Sequence, residues 1–80
     1  MRVRVLLFGH YRDIAPEIAV DDLPEPATVA DLARRLARDE PRLDRVLDRA
    51  RVAVAADFAT PDTPLRDGDE VAFLPPMSGG

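Results

Sequence analysis

The chain ends Pro75-Pro76-Met77-Ser78-Gly79-Gly80, and this stretch holds the residues best suited to chemistry. A terminal carboxylate has an ordinary pKa of about 3.3–3.7 and is ionised at neutral pH. The two glycines carry no Cβ to block a nucleotide or another protein's backbone. A carboxylate so presented attacks the α-phosphate of a nucleotide and becomes an acyl adenylate. That mixed anhydride accepts a sulfur nucleophile, which leaves a thiocarboxylate on Gly80. An ordinary frayed chain end is the alternative. Two features weigh against it. The segment follows a stretch that reads as a buried strand, so its base is fixed. Pro75-Pro76 favours an extended, polyproline-like exit that projects the end from the body. On this reading Pro75, Pro76, Met77, Ser78 and Gly79 thread Gly80 into a narrow channel. The expected organisation is a folded domain over 1–76 and a flexible tail over 77–80.

Composition narrows the chemistry further. There is no Cys, which excludes a disulfide scaffold, a thiolate metal site and a cysteine nucleophile. Any sulfur handled by the chain must come from outside and sit on something other than a thiol. All 11 basic side chains are Arg, spread among 15 acids, and the net charge is -4. Nucleic acid binding needs a concentrated basic face, so it is not expected. With no Lys, the N-terminal amine is the one acceptor for an isopeptide-type bond, which disfavours self-conjugation. His10 stands alone, without a Ser, Cys or carboxylate cluster at a catalytic spacing, and reads as a turn residue. Asp21-Asp22 and Asp67/Asp69/Glu70 are too short for a Ca²⁺ loop. They read as turn chemistry, and Asp67-Gly68-Asp69 alternatively meets arginines on a partner. No metal and no permanently bound cofactor are expected. No apolar run approaches membrane-spanning length and no signal peptide opens the chain, so the expected location is the cytoplasm.

The elements that must position the chain end follow from periodicity. Residues 2–8 alternate, with Val3, Val5 and Leu7 on one face and Arg2, Arg4, Leu6 and Phe8 on the other. Glu17–Val20 is a second, weaker strand. Thr28 opens the main helix as N-cap, with Asp31 completing a capping box. Val29, Leu32, Ala33 and Leu36 form its apolar stripe, and Asp31 with Arg35 an i, i+4 pair. Pro41 restarts a short second helix after Glu40, with Leu43, Val46, Leu47 and Ala50 inward. Residues 52–56 read as a third strand, residues 57–64 as a loop carrying Phe58, and Leu65–Asp69 as a tight turn with Gly68 left-handed. Glu70–Leu74 is the last strand. The order predicts an α+β domain: a small mixed sheet of four to five strands with one main helix on one face. If the helix covers that face, Phe8, Phe58 and Leu74 share the other as an exposed apolar patch of the kind that binds partners. The alternative is that one or two of them are edge core residues.

The stretch Asp67-Gly68-Asp69-Glu70-Val71-Ala72-Phe73-Leu74-Pro75-Pro76-Met77-Ser78-Gly79-Gly80 closely resembles the C-terminal signature of molybdopterin synthase small subunits. Val5-Leu6-Leu7-Phe8 followed by Tyr11-Arg12 is similar to that family's first strand and the arginine after it. Ala55-Ala56-Asp57 stands where the family often carries Asn, and Met77-Ser78 replaces the more usual Val with Ser or Thr. The resemblance implies a ubiquitin-like β-grasp fold. It implies an ATP-dependent activating enzyme that adenylates Gly80 and a sulfur donor enzyme that replaces the adenylate. It implies a larger partner subunit, two small and two large in a heterotetramer, in which Gly80 donates sulfur to a cyclic pyranopterin precursor. Catalytic side chains would lie mostly on the large subunit, so this chain is not an enzyme by itself. Arg12 then either pins the tail or is a solvated surface charge. Three other readings stay open: a sulfur carrier for thiamine or another sulfur-containing cofactor, a ubiquitin-like protein modifier, and a β-grasp interaction module whose tail does nothing.

Overall fold

The structure is a computed structural model and describes residues 1–76. Five strands form one sheet: β1 (Val3–Leu7), β2 (Glu17–Val20), β3 (Arg51–Val54), β4 (Asp57–Ala59) and β5 (Glu70–Leu74). Their order is β2-β1-β5-β3-β4. The central pair, β1 and β5, is parallel; every other pair is antiparallel. Two helices, α1 (Val29–Asp39) and α2 (Asp44–Leu47), lie between β2 and β3 in the chain. This is the α+β, β-grasp arrangement, with five strands in the sheet.

Alternation along β1 places Val3, Val5 and Leu7 on one face, and Val71 and Phe73 of β5 join them. Leu32 and Leu36 of α1 and Leu43 before α2 pack in the same core, and all eight are 2% exposed or less. Apolar burial of this kind stabilises at about 25 cal/mol per Å². The helix that provides the lid is firmly started. Thr28 Oγ1 accepts from the Asp31 backbone N–H, and Asp31 Oδ2 accepts from the Thr28 backbone N–H at 2.8 Å. That second bond holds the Asp31 carboxyl below the usual carboxylate range. The Val29 and Ala30 N–H groups donate to Thr63 and Pro61 carbonyls, so loop 60–64 completes the cap.

Three expectations change. Arg35 does not pair with Asp31. It bonds Asp39 Oδ2 at 2.7 Å one turn on and also Asp22, while Asp31 takes Arg34 at i+3. Asp31 faces back toward the cap, which leaves Arg35 free to reach the β2–α1 connection. The third strand ends at Val54 rather than residue 56, because Ala55 and Ala56 both take positive φ, 50° and 71°. They are the two-residue loop of a hairpin. Phe58 therefore lies on strand β4, not in a loop.

Candidate functional site: the chain exit and the uncovered sheet face

The exit is built from the centre of the sheet. β5 lies between β1 and β3, so hydrogen bonds hold it on both edges up to Leu74. The Phe8 N–H donates to the Phe73 carbonyl at 3.1 Å and extends the parallel ladder past β1. Pro75 then rests on Gly9, which opens a 3-10 turn over Gly9–Asp13. That turn is tied into the core by Tyr11, whose hydroxyl donates to the Val46 carbonyl at 3.2 Å. Burial pushes the Tyr11 phenol pKa up. Pro75 is half-buried and Pro76 exposed. Met77, Ser78, Gly79 and Gly80, to which threading and the acyl chemistry were assigned, lie outside the described residues.

Strand register defines the face opposite the helices. Leu6 pairs with Ala72, Ala72 with Ala53, and Ala53 with Phe58, which sets these four in a row across β1, β5, β3 and β4. One step toward the exit, Leu74 pairs with Arg51, and Phe8 follows Leu7 in extended conformation on the far side of Leu74. Phe8 is 41% exposed and Phe58 72%; they are the exposed large hydrophobic side chains of the described residues. Leu74 is half-buried. Arg51 holds its guanidinium carbon 4.6 Å from the Phe58 ring centre, a cation–π contact. Phe8, Leu74 and Arg51 thus share the row beside the exit, and Phe58, one row over, joins them through Arg51. Phe58 also stands at the sheet's edge, where it borders a groove with Val29, Ala33, Leu47 and Val52. Arg51 was not singled out from sequence. The signal was its parity: with Val52 and Val54 inward, Arg51 must share the outer face.

The same face changes character at its other end. Arg4 bonds Glu17 Oε1 at 2.7 Å and lies 3.6 Å from Glu70 Oε2, and the hydrogen bond to Glu17 pushes its pKa up. Arg2 pairs with Asp21 at 2.9 Å. Asp67 Oδ1 accepts from the Arg2 N–H and Asp69 Oδ2 from the Arg66 N–H, so both carboxylates serve the turn around Gly68. His10 is exposed and meets Tyr11 edge-on. Arg12 is exposed on the Gly9–Asp13 turn, and among the described residues it makes no ion pair or side-chain hydrogen bond. Among the described residues no group of three or more acidic or His side chains is set to hold a metal ion. No helix among them is long and apolar enough to cross a membrane.

Comparison with known proteins agrees with this geometry. Along its full length the chain is 34% identical to the molybdopterin synthase sulfur carrier subunit of Chlamydomonas reinhardtii, over 83 aligned residues that cover 100% of both. Its structure matches the crystal structure of small archaeal modifier protein 1 from Haloferax volcanii with a TM-score of 0.84 at 27% identity, covering 95% of this chain and 98% of that one. It also matches a chain in the complex of subunits 1 and 2 of molybdopterin-converting factor from Helicobacter pylori, with a TM-score of 0.70, 27% identity and full coverage of both. The sequence pattern of the ThiS family fits residues 5–80, from the middle of β1 through the exit to the terminal Gly-Gly. The chain belongs to the ThiS family.

Proposed function

We propose that this chain is the sulfur carrier of molybdopterin synthesis. The observation that carries the reading is the rigid exit: β5 is held on both sides and delivers Pro75-Pro76 beside an uncovered apolar row, with Gly-Gly at the end of the sequence. Full-length similarity to a molybdopterin synthase sulfur carrier subunit supports it. An activating enzyme uses ATP to adenylate Gly80 and pyrophosphate leaves. A sulfur donor enzyme supplies the nucleophile that displaces AMP. The resulting thiocarboxylate donates its sulfur to cyclic pyranopterin monophosphate.

A large subunit is the partner in this reading, supported by the complex known for the Helicobacter pylori relative. It docks on Phe8, Leu74 and Phe58, with Arg51 between the last two, and receives Pro75, Pro76, Met77, Ser78 and Gly79 in a channel that ends at the acceptor. Two small and two large chains form the assembly. Arg12, exposed on the Gly9–Asp13 turn, meets either the threaded segment or the partner in this reading. The compartment is the cytoplasm, where ATP and reduced sulfur donors are at hand.

The test is intact mass. Incubation with ATP, an activating enzyme and sulfide is expected to exchange one terminal oxygen for sulfur. An unchanged mass, with an enzyme that charges a related carrier, would overturn the proposal. The modifier reading has its own support in the archaeal relative, and it is expected to give ladders of larger adducts instead. This chain is poorly suited to accept such adducts itself. It has no Lys, and the Met1 amine donates to the Leu23 carbonyl at 2.7 Å.

A further inference from the structure

We propose that Gly9 is a positioning residue for sulfur transfer, because the seat it makes for Pro75 fixes the direction in which the chain leaves β5; this rests on the sulfur-carrier reading above. Gly9 has φ +57°, in the left-handed region. A Cβ placed there would stand 2.6 Å from Pro75 Cγ and 3.2 Å from Pro75 Cδ. Real side chains do not approach so closely, and a pyrrolidine ring has no flexible end with which to retreat. One of the two segments must therefore move when Gly9 gains a side chain.

The turn is the less yielding of the two. The Tyr11 N–H donates to the Phe8 carbonyl and the Ile14 N–H to the Tyr11 carbonyl. The Tyr11 ring is buried and its hydroxyl bonds the chain just inside α2. Pro75, by contrast, has left the sheet ladder and is followed by exposed Pro76. A displaced Pro75 passes its new direction on, because each residue before a proline is held to extended conformations. Five residues follow Pro75 in the sequence. Held extended in a partner's channel they would reach at most about 17 Å at about 3.4 Å per residue, and a tilt of about 10° at the base would then be worth up to about 3 Å at the far end. Misplacement of about 1 Å is enough to cost roughly 100-fold in a reaction that depends on alignment. Phe8, Leu74 and Phe58 meanwhile keep their places in the sheet, so docking and delivery separate.

The experiment uses the full chain charged as the Gly80 thiocarboxylate by sulfide cleavage of a fusion, which bypasses the activating enzyme. Single-turnover consumption of the thiocarboxylate is followed by intact mass, with the large subunit from the same organism and cyclic pyranopterin monophosphate. Binding to the large subunit and thermal stability are measured in parallel. Gly9→Ala and Gly9→Asn are both expected to slow transfer by about 10- to 100-fold at saturating large subunit, with little change in affinity. Asn tolerates the left-handed region far better than Ala, so any defect from backbone strain alone would be milder in Gly9→Asn. Pro75→Ala removes Cγ, so adding Gly9→Ala to Pro75→Ala is expected to slow transfer, relative to Pro75→Ala alone, far less than Gly9→Ala slows the wild-type chain. Equal impairment of Gly9→Ala with and without Pro75→Ala would overturn the inference. So would wild-type transfer rates in both Gly9 variants. Charged wild-type chain that keeps its sulfur would overturn the sulfur-carrier reading itself, and this inference with it.

Discussion

The two faces of the sheet are made by the same strands and answer to different demands. Inward, Val3, Val5, Leu7, Val71 and Phe73 are at most 2% exposed and lie under α1. Outward, the neighbours of those residues divide along the strand direction. Where β5 begins, Arg4 sits among Glu17 and Glu70 and the surface is ion-paired. Where β5 ends, Phe8, Leu74 and Phe58 leave apolar surface in water beside the exit. The inner face stabilises the fold. The outer face leaves its exposed aromatic rings, Phe8 and Phe58, uncovered away from the ion-paired end, where on the proposed reading a partner that grips the chain end docks. Stability therefore rests on one face and, on the proposed reading, recognition on the other, and the contrast can be broken from either side.

The largest effect expected is on the inner face. Phe73→Ala empties the centre of the core and is expected to cost about 3–5 kcal/mol, enough to unfold much of so small a domain. Urea unfolding followed by circular dichroism checks it, and a loss below about 1 kcal/mol would show that the core has been misjudged. On the outer face the expectation reverses. Phe58→Asp is expected to leave the unfolding midpoint within about 0.5 kcal/mol of wild type, because the ring is 72% exposed. It is expected to weaken large-subunit binding by at least about 2 kcal/mol, roughly 30-fold, as central aromatic anchors do. Calorimetric titration with the large subunit measures this. Unchanged affinity would remove Phe58 from the docking row and leave Phe8 and Leu74 to carry it.

Next comes the helix that covers the inner face. Thr28→Ala removes the acceptor for the Asp31 N–H and is expected to cost about 1 kcal/mol with no effect on binding. The partner in that capping box adds a pH signature. Asp31 titrates below its ordinary value in the folded chain, chiefly through the Thr28 N–H. Its contribution is therefore complete above the ordinary carboxylate range. It is lost as pH falls through the lower, folded value, because the unfolded chain then binds the extra proton. Asp22, Asp39 and Glu40, lowered by their arginine partners, act in the same direction. Acid titration of Asp31→Asn should show a shallower loss of stability than wild type. An identical slope would mean that Asp31 carries none of it.

The inner face was the more legible in sequence, and the reason is periodicity. Val3, Val5 and Leu7 alternate cleanly, the α1 stripe repeats at i, i+3, i+4, i+7, and Thr28 with Asp31 announces the start. These signals are local. Strand β4 reads as loop in the sequence because it is three residues long, mostly exposed and preceded by no Gly or Asn. Its existence depends on β3 across a two-residue turn, a non-local fact. The same holds for the pairing of Arg51 with Leu74 and its stacking on Phe58. The seat of Pro75 on Gly9 joins residues at opposite ends of the chain. Gly9 could be recognised as a strand end, but nothing in one sequence says which residue will fill the space its missing side chain leaves.

The smallest effect expected tests the hairpin that carries Phe58. Ala55 and Ala56 occupy the two central positions of a turn that needs positive φ at both. An L-residue with a Cβ is strained there by about 1–2 kcal/mol, while glycine adds back about 0.5–1 kcal/mol of unfolded-state entropy. Ala56→Gly is therefore expected to stabilise the domain by roughly 0.5–1 kcal/mol, and Ala55→Asn with it somewhat more, since Asn is several-fold enriched in the left-handed region. Because the turn lies away from Gly9 and Pro75, large-subunit affinity and transfer rate should not move. A stabilised hairpin that also binds more tightly would show that the edge of the sheet is ordered by docking. Recognition would then draw on folding free energy, and the division between the two faces would hold only at the centre of the sheet.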